Sequence, residues 1–118
     1  MVQCSYCLRA AVLRPGYRGK PTWFCDPCDA RVGCHPETNK PLGSLANAEL
    51  RQWRQTAHEW FDPMWRVEGM PRSAAYRTLG EAMSLPAKLC HIAMFDVEQC
   101  RAVVQIATWL RRDAREAA

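Results

Sequence analysis

The chain has 118 residues, 48% of them hydrophobic, with five tryptophans and a net charge of +4. That composition excludes a disordered tail and suits one ordinary domain, or a small module joined to a helical piece. No run of about 18 apolar residues suggests a membrane span, so no membrane partner is expected.

Two C-x-x-C pairs come first, Cys4-Ser5-Tyr6-Cys7 and Cys25-Asp26-Pro27-Cys28, separated by seventeen residues. Two thiolates at that spacing chelate one metal from a tight turn, and a second such turn completes a tetrahedral shell. Cys4, Cys7, Cys25 and Cys28 are therefore expected to hold one structural zinc. A module of this size needs such a staple, because it is too small to fold on its own core. Seven cysteines is an odd number. The N-terminus has neither a basic region nor an apolar stretch of a secretory signal, so reduced thiols in a cytoplasm are expected.

Around the knuckles, residues 10–14, 22–25 and 30–34 read as short strands, broken by Pro15-Gly16 and by the Asp26-Pro27 turn. The residue after a knuckle's second cysteine often has φ > 0. Leu8 and Asp29 stand there, and Leu is the poorer fit, so the first knuckle is expected to deviate. Residues 36–44 form a Pro/Gly/Asn connector.

Beyond it the period becomes helical. Asn47 is placed to cap a helix whose stripe is Leu50, Trp53, Ala57, Trp60 and Phe61, ending at Asp62-Pro63. A second helix starts near Ser73, a candidate N-cap, and stops at Ser84-Leu85-Pro86. A third opens on a capping box, Asp96-Val97-Glu98-Gln99, with Val97, Cys100, Val103 or Val104, Ala107 and Leu110 or Trp109 on its buried face. The expected fold is α+β: a small zinc ribbon of two metal-knuckle hairpins over 1–45, then about three helices over 46–118, packed on it.

The run W-F-C-D-P-C-D-A-R-V-G-C-H-P-E-T-N-K-P-L-G-S, then A-H-E-W-F-D-P-M-W and C-H-I-A-M-F-D-V-E-Q-C, resembles the zinc-finger-containing domain-of-unknown-function family of phages and bacteria. The resemblance covers Cys4 to about Val104. It departs at Leu8 and Ala93, where the family has Gly. It implies a zinc-binding module, phage- or prophage-borne, and carries no activity with it.

Six of the sixteen Lys and Arg residues lie in 1–45, against three acids. Arg9, Arg14, Arg18, Lys20, Arg31 and Lys40, with the aromatics Tyr17, Trp23 and Phe24 between them, are the candidate nucleic-acid contacts: cations neutralise phosphates and aromatics stack on bases. The expected function is a non-enzymatic module that binds nucleic acid or a host protein, as a regulator or anti-host factor, with no small-molecule substrate. Cys34, His35, Cys90, His91 and Cys100 form a candidate second metal or structural cluster, although none has C-x-x-C spacing. The alternative function is a ββα-type metal-dependent nuclease, in which His35, Asn47 and His58 would activate water, orient it and bind a divalent ion.

Overall fold

A computed structural model describes residues 2–117, with side chains described to residue 112. The chain divides into two compact units, residues 1–51 and 52–118.

The first unit is built on a three-stranded antiparallel sheet in the order β1-β2-β3: β1 is Val12–Pro15, β2 Pro21–Cys25 and β3 Ala30–Gly33. Strands of four or five residues cannot stand alone, and these are held at their ends. An isolated bridge pairs Gln3 with Ala10 across the first knuckle, and Cys25 pairs with Ala30 across the second. Residues 33–42 extend β3 as a hairpin, in which the His35 N–H donates to Lys40 (2.9 Å) and the Leu42 N–H to Gly33 (2.9 Å). Period-two alternation then sorts the side chains. Trp23 and Cys25 of β2 face inward with Val32 and Ala30 of β3, whereas Phe24 stands opposite Val12 and Arg31 on the outer face. The core is small: Cys4, Ala11, Cys25, Ala30, Val32 and Leu45, with Val2, Trp23 and Cys28 packed against it. Two of its six members are candidate metal ligands, so this core is incomplete without the knuckles.

The first turn of helix α1 (Ala48–Phe61) counts with the ribbon, beyond residue 45. The reason is Arg51, whose guanidinium donates to the carbonyls of Asp29 (2.6 Å) and Ala46 (2.9 Å). Asn47 caps this helix as its residue type predicts, accepting the Leu50 N–H at 3.0 Å.

The second unit is helical. Helix α1 ends at Phe61, where Asp62-Pro63 was expected to stop it, and a single turn α2 (Pro63–Arg66) follows. Proline at N1 loses only an N–H that had no partner in the first turn. Helix α3 (Arg72–Met83) packs against α2, against α4 (Val97–Ala117) and against the 3-10 turn Ala87–Leu89. The capping box of α4 is complete: the Gln99 N–H donates to Asp96 Oδ1 (2.8 Å) and the Asp96 N–H to Gln99 Oε1 (3.0 Å).

Two helix expectations need correction. Ser73 does not cap α3, which starts at Arg72 after Pro71 with no side-chain cap. The stripe of α1 is Leu50, Arg54, Ala57 and Phe61, while Trp60 is exposed. Arg54 is buried because its Nε donates to the Phe95 carbonyl (3.0 Å), closing a hydrogen bond that would otherwise be lost in the core. Among the described residues, no helix is long and apolar enough to cross a membrane.

Candidate metal centre

The first knuckle turns because the Leu8 N–H donates to the Cys4 carbonyl (2.9 Å) and the Cys4 N–H to the Arg9 carbonyl (2.9 Å). The second is a 3-10 turn over Asp26–Cys28, closed by the Asp29 N–H on the Asp26 carbonyl (3.0 Å). Both residues that follow the knuckles are left-handed, Leu8 at φ 64 and Asp29 at φ 50. Leu8 thus adopts the backbone that its position demands, against its own steric preference.

The sheet brings the two turns together. The Sγ atoms of Cys4, Cys7, Cys25 and Cys28 all lie within 4.8 Å of one another. The Cys7–Cys25 pair is at 3.6 Å. A tetrahedral zinc with Zn–S near 2.3 Å needs sulfurs about 3.8 Å apart, so the donor set fits one ion after small adjustments. All seven cysteines are free thiols. Backbone N–H groups already face the sulfurs. The Arg9 N–H pulls the Cys7 thiol down to about 7, and the neighbouring thiols assist. Burial pushes Cys28 up to about 12 and raises Cys25, with Cys7 adding to both shifts. One sulfur is thus ready as a thiolate at neutral pH, and the ion must displace the protons held by Cys25 and Cys28. The centre supports one structural zinc, whose chemistry is to hold the two hairpins; four protein donors leave no position open for a substrate.

The other candidate ligands do not assemble. Among the described residues, the four N-terminal cysteines are the only group of three or more His, Cys, Asp or Glu side chains close enough to share an ion. Cys90 and Cys100 are fully buried, and burial raises both thiols, Cys100 to about 11. They are neutral core residues. Cys90 Sγ donates to the Tyr76 carbonyl (3.7 Å), and His91 is exposed. Cys34 pairs with Pro41 at the base of the hairpin, and the His35 carbonyl accepts from Thr38.

The nuclease alternative draws on His35, whose side chain is exposed, and on Asn47 and His58. Asn47 spends its side-chain oxygen on the cap, and His58 Nδ1 is 3.1 Å from Asp62 Oδ2, one helical turn on.

Of the candidate nucleic-acid contacts, Arg9, Arg14, Arg18, Lys20, Arg31 and Lys40 are all exposed. Trp23 is not among them. It packs on the inner face and donates its indole N–H to the Asn39 carbonyl (2.8 Å). The aromatic residue of the outer face is Phe24, and the signal for it lies in the sequence: Cys25 points inward, so Phe24 points outward. The Arg14 guanidinium lies over the Phe24 ring at 4.0 Å and also makes a forked pair with Asp26 (2.6 and 3.0 Å), which holds that carboxyl below its usual range.

No curated protein and no solved structure shows significant similarity to the chain. A family model described as a zinc-finger-containing domain matches residues 1–109. With that span and the four-cysteine centre, the chain belongs to the zinc-finger-containing domain family.

Proposed function

We propose that the protein is a non-enzymatic, zinc-held interaction module that binds single-stranded nucleic acid on the outer face of its ribbon sheet. The observation that carries this reading is the sheet register, which lines up Arg14, Phe24 and Arg31 on one solvent-facing surface with Val12 beside them. Arg9, Arg18 and Lys20 add positive charge on the adjoining turns. Guanidinium groups neutralise phosphates, and a ring under a guanidinium offers bases a flat cationic platform. The Arg14–Asp26 pair is exposed on both sides, so it is worth little and a phosphate oxygen can replace the carboxylate. The family resemblance supports a phage- or prophage-borne setting, in which such a module acts as a regulator or anti-host factor in the bacterial cytoplasm.

Fluorescence anisotropy with labelled single- and double-stranded DNA tests the reading on zinc-loaded protein. Binding should weaken steeply with salt, and R14A/R31A should lower the slope of log K against log salt by roughly 1–2. No binding at low salt would end the nucleic-acid reading and leave a host protein as the partner. A lysate pull-down with and without nuclease treatment would then separate a protein contact from a nucleic-acid bridge.

A further inference from the structure

A groove of about 590 Å³ runs along helix α3 in the second unit. One wall is a stripe of that helix, Arg72, Tyr76, Arg77 and Glu81, and the other is the loop that carries Cys90 and His91. The groove exists because the chain turns back sharply at the end of α3. Ser84 takes a left-handed backbone (φ 56), and the Leu85 N–H donates to the Gly80 carbonyl (2.9 Å). Gly80 lets the loop come this close, since a Cβ there would lie 3.1 Å from the Leu85 carbonyl and 3.6 Å from Cys90 Sγ. The floor is therefore tightly seated, while the walls carry the chemistry.

Arg72 is held by rings rather than by acids. Its guanidinium lies 4.8 Å from the Tyr76 ring centre and 5.4 Å from that of Trp65. Neither Arg72 nor Arg77 forms an ion pair among the described residues. Stacking fixes a guanidinium's plane, and although Arg72 also hydrogen-bonds Tyr76, its fork carries further N–H donors that can meet a planar or tetrahedral oxyanion. The Tyr76 and His91 rings, 6.4 Å apart between centres and tilted by 41°, extend the aromatic wall along the groove. The volume lies within the range of small-molecule sites. Two guanidiniums without acidic partners beside two rings match a ligand with a phosphate at one end and a flat heterocycle at the other.

We propose that this groove is a nucleotide-binding site, with Arg72 and Arg77 taking the phosphate and Tyr76 and His91 offering the base an aromatic wall. The site is built from residues of the second unit alone and stands whether or not the sheet face binds nucleic acid. The ligand is a free nucleotide or the 5′-phosphorylated end of a strand, which share this chemistry.

Calorimetric titration of the zinc-loaded full chain tests it, with AMP, adenosine and inorganic phosphate as probes. AMP should bind at least about tenfold more tightly than adenosine or phosphate alone, because only AMP engages both ends of the groove. Arg77 is exposed, so R77E should leave the helical circular dichroism intact and weaken AMP about tenfold or more. R14A/R31A should leave AMP binding unchanged. A short 5′-phosphorylated oligonucleotide that binds this groove more tightly than AMP assigns it to strand ends, and a weaker one assigns it to free nucleotides. The proposal is overturned if AMP binds no better than phosphate, if R77E has no effect, or if the sheet variant abolishes AMP binding.

Discussion

Leu8 and Asp29 occupy the same place in the two knuckles, directly after the second cysteine, and share a left-handed backbone at φ 64 and φ 50. The geometry belongs to the turn and not to the residue. Asp bears it at small cost, whereas a leucine carries the clash between Cβ and carbonyl that disfavours this region. Leu8 is 69% exposed, so it recovers little by burial.

Replacing Leu8 with Gly should therefore stabilise the zinc-loaded protein, by about 0.5–1 kcal/mol once the glycine's extra unfolded-state freedom is deducted. Thermal melts of Leu8→Gly and Asp29→Gly compare the two knuckles, and the first should gain more. A lower melting temperature for Leu8→Gly would show that the side chain makes a contact worth more than the strain.

Zinc affinity should fall as pH falls, since thiol protons compete with the ion. The sign follows from the directions of the shifts. Cys28, raised to about 12, and Cys25, also raised, give up protons to zinc throughout the neutral range. Cys7, lowered to about 7, joins them only below that pH. Competition with a chromogenic chelator should therefore show one zinc per chain and a dependence on pH that steepens below about 7. A flat profile between pH 6 and 8, roughly the window on either side of the Cys7 midpoint, would contradict this assignment.

Arg54→Ala should destabilise the chain by about 2–3 kcal/mol, because it removes a charge-assisted hydrogen bond and leaves the buried Phe95 carbonyl unmatched. Urea unfolding followed by tryptophan fluorescence measures it. A loss under about 0.5 kcal/mol, the range of ordinary surface substitutions, would mean that water satisfies the carbonyl.

Asp96→Ala removes the acceptor of the α4 capping box and should cost about 1 kcal/mol, while Asp96→Asn should keep most of the stability. Equal losses in both variants, in the same urea titration, would place the effect in the charge rather than in the cap.

The features legible in the sequence are those set by neighbours a few residues apart. The two C-x-x-C turns, the left-handed positions that follow them, the Asn47 cap and the Asp96–Gln99 box each depend on one turn of backbone and the groups within its reach. The alternation that sends Phe24 outward was equally present, because Cys25 fixes the phase of β2. Tertiary structure decided what depends on which surface is covered. Arg54 displaced Trp60 from the buried stripe of α1 because the Phe95 carbonyl, forty-one residues away, needed a donor. Cys90 and Cys100 became core thiols because apolar surroundings favour the neutral form. Asn47 and His58, suggestive by type and order, are engaged by a helix cap and by the Asp62 carboxylate one turn on, while the His35 backbone closes a hairpin. Residue type and spacing determined where the metal would be held; long-range hydrogen bonding and burial determined which of the remaining polar groups stayed free to meet a partner.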